Sequence, residues 1–344
     1  MYWFGFSLIS LIGAGLIGAT IYLFRARWPA DRTPRRQVVL NLAVSLSSLM
    51  IILLGIELFF KLIFAQSDAF GFTHASTNWF ERYWQENSLG YRDVEWNPQL
   101  LAGRTKIMVL GDSFVAGHGI NDPANRFSDV LGRLLGEGYA VMNVGQNGAS
   151  TQDEIRNGLS YPYEPDLIIF AHYLNDIEDT ARGAGHKRPA FQPAIAPWLK
   201  PWVDNSYALN FLYWRFYRLQ RGDVENTYWN WLTTAYDDPQ VWQLYQRELL
   251  KIQAYGQQRR VRLIVVVFPN LLAIEASRPL TGRIVSLFQE RGVPVLDVAG
   301  LVGDRPPAEL VVNRVDSHPN EFVHRLVAEQ LYRLVLETSQ AVER

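Results

Sequence analysis

The sequence predicts a three-layer α/β/α sandwich on a five-stranded parallel sheet, preceded by two transmembrane helices. Three observations predict it. Two long uncharged runs stand near the N-terminus. Five short, continuously apolar runs follow, separated by helix-like stretches. An amphipathic helix comes last. The net charge of -1 offers no basic surface to phosphate, so a general nucleic-acid binder is disfavoured. The absence of cysteine excludes disulfides, thiolate metal sites and a Cys nucleophile.

Residues 1–24 carry no charged side chain, and a second uncharged run covers 37–56. About 20 helical residues cross about 30 Å of hydrocarbon, so each run is long enough. The first run lacks the basic start of a signal peptide. Between the runs lie Arg25, Arg27, Arg32, Arg35 and Arg36 against the single Asp31. Short basic loops stay in the cytoplasm. Residues 1–65 are therefore expected to be a two-helix membrane anchor with a cytoplasmic loop. The chain after about residue 65 is expected outside the cytoplasm, on an integral plasma-membrane protein. Glu57 and Lys61 are spaced to pair on one helix face. They either reach interfacial water or make a contact to another helix or to the domain.

Residues 66–103 read as a linker, and 104–344 as one α/β domain. The apolar runs are KIMVL at 106–110, YAVMNV at 139–144, DLIIFA at 166–171, VRLIVVVF at 261–268 and VPVLDV at 293–298. Continuous rather than alternating apolarity predicts strands covered on both faces, hence a parallel sheet. The stretches between have helical periodicity and end in Gly. The crossover at 178–258 is long, and six of the eleven Trp lie in it. Those rings suit a helical subdomain, a lid over substrate, or contact with lipid headgroups.

Ligands in such folds bind beyond the carboxyl ends of the strands. Asp112 and Ser113 follow the first run there, and Gly145 to Ser150 the second. His172, Tyr173 and Asn175 follow the third, while Asp316 and His318 lie before the last helix. A serine hydroxyl needs a base beside it, and the base needs a group that fixes its tautomer. Ser113, His318 and Asp316 supply those three roles. The N–H groups of Ser113 and Gly148 and the amide of Asn175 are candidate oxyanion donors.

With these residues in order, the chain resembles the SGNH (GDSL-like) hydrolase superfamily over roughly 104–336. GDSF at 111–114 resembles its nucleophile block, NVGQNGAST at 143–151 its glycine block, LND at 174–176 its asparagine block and DSHPN at 316–320 its last block. The resemblance implies a flavodoxin-like strand order and the same site roles: Ser113, Asp316 and His318 as triad, with Gly148 and Asn175 on the oxyanion. Many members carry Asp-x-x-His where this chain has Asp-x-His. Tyr173 stands where members often have Gly, so its ring re-lines the pocket.

Asp112 is expected to hold the turn, and His118 and His172 to line the pocket or the core. His324, inside the last helix, is a weaker competitor for the base. The scattered histidines form no tight ligand pattern, so neither a metal nor a cofactor is expected. The expected function is serine esterase on O-acyl esters, on a surface glycan or a related extracytoplasmic substrate. Acylated carbohydrate or lipid is thus the expected partner, besides the membrane. The alternatives are an O-acyltransferase using the same triad and a non-catalytic glycan-binding or assembly protein.

Overall fold

The computed structural model describes the chain apart from residues 1–12, 23–24, 26–33, 70, 190–194, 221–222 and 341–344. It contains two compact units. One comprises Met1–Gln66, Gly71–Trp79 and Gln192–Gly222, the other Ser67–Phe70, Phe80–Phe191 and Asp223–Arg344.

The first unit is helical. Its described elements include α1 (Gly13–Tyr22) and α2 (Pro34–Leu62). Two transmembrane helices were expected. Among the described residues only Gln37–Leu62, 26 residues, is both long and apolar enough to cross a membrane. Gly13–Tyr22 spans about 15 Å at 1.5 Å per residue, half a hydrocarbon core. The remainder of that first run, and most of the basic loop, lies outside the described residues. The expectation of membrane attachment through two helices is corrected accordingly. α1 packs on α2 where Gly13 leaves room for Met50 and Leu54, and Thr20 Oγ1 meets Ser47 Oγ at 2.9 Å.

Helix α3 (His74–Tyr83) follows. Asn78 donates to the carbonyls of Phe60, Lys61 and Phe64, closing the exposed end of α2 at 3.0, 3.1 and 2.8 Å. Such end carbonyls have no partner within their own helix.

The second unit is the sandwich. Its sheet comprises β1 (Thr105–Gly111), β2 (Tyr139–Gly145), β3 (Leu167–His172), β4 (Arg262–Val267) and β5 (Val295–Asp297). All neighbours pair in parallel, in the order β2-β1-β3-β4-β5. Alternate residues feed opposite layers. Met108, Leu110, Ile168, Phe170 and Val265 join one apolar cluster, and Ile107, Val109, Ile169, Ile264 and Val266 the other. Both faces are covered, which is why the strands read as unbroken apolar runs.

The helices covering the sheet include α4 (Ser113–Ala116), α5 (Phe127–Leu135) and α6 (Thr151–Ser160). The insert divides. α7 (Lys200–Asn205) and α8 (Tyr207–Gln220) belong to the helical unit, whereas α9 (Asp223–Asp237) and α10 (Pro239–Arg259) belong to the sandwich. Tyr245, Leu249 and Ile252 of α10 are buried in the first cluster with Ile284 and Phe288 of α11 (Ile274–Gln289). A two-stranded antiparallel ribbon, β6 (Val311–Asn313) and β7 (Asp316–Pro319), then leads into α12 (Glu321–Gln340). Val323, Val327 and Leu331 of α12 pack with Phe127 and Leu131 of α5 in the second cluster.

Candidate active site

Strand β1 ends at Gly111, which pairs with Gly145 on one side and Ala171 on the other. The connections leaving β1 and β3 run to opposite sides of the sheet, and a crevice opens between them in sheets of this order. The chain turns at Asp112, whose carboxylate accepts from Phe114 N at 2.8 Å and caps α4. Ser113 is the first residue of that helix and is 8% exposed, so only its tip reaches the surface. A Cβ on Gly145 would stand 2.3 Å from Ala116 N, so β2 can approach α4 this closely only with glycine there. Asn143 locks the approach by donating to Val115 O at 2.7 Å and accepting from Gly145 N at 3.0 Å.

The β6–β7 ribbon delivers Asp316 and His318 to Ser113. His318 Nε2 lies 2.8 Å from Ser113 Oγ, and its Nδ1 lies 2.5 Å from Asp316 Oδ1. That oxygen also accepts from His318 N at 3.1 Å, so the Asp-x-His spacing closes a small ring through backbone and side chain. Burial pushes the Asp316 carboxyl up, but the charges of His318 and His118 outweigh it and hold the group well below the ordinary carboxylate range. Burial pushes His318 down, but the Asp316 charge and hydrogen bond raise it overall. The arrangement therefore keeps a carboxylate behind a basic imidazole that faces a hydroxyl, the grouping able to deprotonate serine.

The other sequence-selected residues divide. Asp112 is buried, which raises its pKa, and Phe114 N, the His318 charge and the Asn175 side chain pull it back. Asn175 therefore stands beside Asp112, at the turn that carries Ser113. Gly148 is exposed in the loop after β2 with φ +72, a left-handed conformation that favours glycine. Tyr173 stacks on Phe114, the residue after Ser113, with ring centroids 4.1 Å apart. His118 stacks on His318 at 4.3 Å. His172 is elsewhere: it is fully buried and its Nε2 meets Tyr245 Oη at 2.8 Å. His324 is also buried, with Nδ1 accepting from Phe127 N at 3.1 Å, away from Ser113.

His118, Asp316 and His318 offer ligand atoms within 4.8 Å of one another. Both His318 nitrogens already face Asp316 and Ser113. A cation bound through that ring would take the base from the serine.

Several contributors escaped sequence reasoning. Asp68 O accepts from the His118 ring, and Asn313 Nδ2 donates to Ser67 O at 3.2 Å. Arg92 is buried, donating to Gly117 O at 2.6 Å and Ile120 O at 2.7 Å, and so pins the loop that follows α4. The only signal for Arg92 was an arginine amid aromatics. Backbone acceptors such as Asp68 O leave no signal at all.

No family model and no curated protein matches the sequence. Several solved structures are similar in fold. A member of the lipolytic protein G-D-S-L family from Veillonella parvula is 15% identical over 65% of this chain and 94% of its own, with a TM-score of 0.37. A lipase/acylhydrolase from Enterococcus faecalis is 15% identical over 67% and 94%, with a TM-score of 0.40. A catalytic mutant of an acetylxylan esterase from Geobacillus stearothermophilus is 12% identical over 67% and 93%, with a TM-score of 0.41.

Proposed function

We propose that this chain is a serine esterase that cleaves O-acyl esters through an acyl-serine intermediate. The observation that carries the reading is the continuous hydrogen-bonded line from Ser113 Oγ through His318 to Asp316. In the first half-reaction His318 Nε2 takes the Ser113 proton as Oγ attacks the acyl carbonyl. The N–H groups of Ser113 and Gly148 and the Asn175 amide hold the oxyanion, and His318 returns the proton to the leaving alcohol. Water repeats the sequence in the second half and releases the acid.

The proposed location is extracytoplasmic. Helix Gln37–Leu62 supports it by length and composition, and the arginines ahead of it favour a cytoplasmic start. A domain held outside the membrane meets acylated surface glycans, so an O-acyl group on such a glycan is the proposed substrate class.

The test is intact mass of the full-length protein in detergent after brief exposure to p-nitrophenyl acetate, beside Ser113→Ala. A Ser113-dependent acetyl adduct that clears in water is expected. An adduct that persists until an oligosaccharide removes it would replace hydrolysis with acyl transfer. Absence of reaction with both the ester and a broad serine probe would overturn the enzymatic reading.

A further inference from the structure

The helical unit carries an apolar surface outside α2. In α8, Tyr207 and Phe211 turn toward α2: the Phe211 ring lies 4.7 Å from Phe60 and 5.1 Å from Phe64, and Lys61 sits over Tyr207. Leu209, Leu212 and Phe216 lie on the opposite side at i, i+3 and i+7, and all three are exposed, Phe216 by 60%. Trp198 and Trp202, just before α8 and in α7, are exposed by 74% and 61%. Five large apolar side chains thus face outward within some twenty residues. Contiguous apolar surface of this kind marks an interaction site.

The attachment of α8 to α2 says what covers it. Glu57 accepts from Ser206 Oγ at 2.7 Å, Tyr207 N at 2.7 Å and Ala208 N at 3.1 Å, so its carboxylate caps the first turn of α8. Glu57 is five residues short of the end of the apolar span, about 7.5 Å along the axis. A carboxyl group at that depth needs hydrogen-bond donors that water cannot easily supply. α8 supplies them, and its start is thereby fixed at the depth where an apolar span meets the headgroups. Trp is favoured in that zone.

We propose that α7 and α8 form a foot lying in the headgroup and upper acyl region of the lipid leaflet on the domain's side, with Trp198, Trp202, Leu209, Leu212 and Phe216 inserted. The inference rests on the reading that α2 spans the membrane. The foot binds lipid as a surface, beside the span.

The chain contains no cysteine, so single cysteines can be placed cleanly in the full-length protein. Leu212→Cys and Phe216→Cys would carry bimane in phosphatidylethanolamine–phosphatidylglycerol vesicles containing doxyl-labelled lipid. Leu49→Cys in α2 and Leu159→Cys in α6 are references, both exposed in the protein. Doxyl lipid is expected to quench positions 49, 212 and 216 strongly and 159 weakly, with aqueous iodide giving the reverse order. If 49 is quenched while 212 and 216 behave like 159, the foot is overturned and the span stands. If 49 also behaves like 159, span and foot fall together. Labelling of Ser113 by an ester probe checks that each variant is folded.

A different observation carries a second inference. His118 Nε2 lies 3.1 Å from Asp68 O and 3.6 Å from Asp316 Oδ2, its Nδ1 lies 3.3 Å from Asn147 Nδ2, and its ring stacks on His318. We infer that His118 is a positioning residue that ties the acid, the base and the loop carrying Gly148 into one array. His118→Phe keeps a ring against His318 and loses the N–H. It is expected to lower kcat toward p-nitrophenyl acetate about tenfold at unchanged KM and to move the acid limb of the profile to higher pH. His118→Gln, which keeps a donor, should recover part of the loss. A wild-type pH profile in His118→Phe would overturn the assignment.

Discussion

The two units treat polarity in opposite ways. The sandwich takes polar groups inside: Ser113, Asp112, His118, Asp316 and His318 are all buried, and His318 bonds to both Ser113 and Asp316. The helical unit leaves apolar groups outside, along Gln37–Leu62 and on α8. Exposed leucines taken singly mean little, but a buried polar cluster or a continuous exposed apolar surface is informative. Each unit also uses one carboxylate as its organiser. Asp316 is held by a ring and a backbone N–H, Glu57 by two backbone N–H groups and a hydroxyl. Removing a buried charge from water is tolerable only with such partners. The same device thus holds an imidazole in one unit and a helix end in the other.

This contrast can be broken one unit at a time. The largest effect should come from Ser113→Ala, which is expected to abolish acyl labelling and lower kcat/KM by about 10^4-fold or more. Asp316→Asn should come next, near 10^3–10^4-fold, because the amide no longer fixes the His318 tautomer. Asn175→Ala should lose on the order of 3 kcal/mol of transition-state stabilisation, about 100-fold in kcat. Steady-state kinetics on a soluble ester checks all three, and unchanged kcat/KM in Asn175→Ala would remove it from the oxyanion site.

The pH dependence sharpens the same division. His318 must be neutral to act as base, and its pKa is raised above 6.5, so kcat/KM is expected to fall with acid from an inflection above that value. Stability carries a second signature. Burial lowers His118 to about 4, and His172 and His324 to about 3, from 6.5. Between those values and 6.5 the unfolded chain binds more protons, so stability rises with pH and is lost in acid. His318 acts oppositely: its contribution is present below 6.5 and lost as pH rises through its raised value. The carboxyls of Asp93, Asp112, Glu154 and Asp176, raised by burial, act in the same direction as His318, so the histidine contribution is read by difference: the change in Tm between neutral pH and pH 4, followed by near-ultraviolet circular dichroism, is expected to show less acid loss in His172→Phe than in the wild type. The smallest effect belongs to the helical unit. Glu57→Ala removes a helix cap and should cost about 1 kcal/mol, with turnover of a soluble ester unchanged.

Much of the sandwich was legible because both of its faces are covered. The apolar run at 106–110 grew only to Thr105–Gly111, and the run at 139–144 to Tyr139–Gly145. Ser113 and Asn175 were selected because strand ends are where such sheets bind ligands, and both lie just beyond strand ends in the fold. The β6–β7 ribbon was not foreseen, since its strands are too short for periodicity to register. His172 could not be sorted by sequence: it directly follows the same buried run that places Asn175 at the edge, and only its bond to Tyr245 shows that it points into the core. In the first apolar run, absence of charge did not discriminate: among its described residues the helix Gly13–Tyr22 is too short for a span. The insert at 178–258 was legible as aromatic, but nothing local marks the point near residue 222 where it changes allegiance between units.

That division bears on how the protein can be handled at the bench. A soluble form would ordinarily be made by cutting just after the apolar span, near residue 66. Here the cut would strip α8 of its capping carboxylate and of Phe60 and Phe64, while leaving α7 and α8 in the shortened chain. The orphaned pair would present both its lipid-facing side and its freshly uncovered α2-facing side to water. Such a fragment should associate with itself and with detergent, and its poor behaviour would be mistaken for instability of the sandwich. Retention of both the N-terminal segment and 192–222 keeps the helical unit whole.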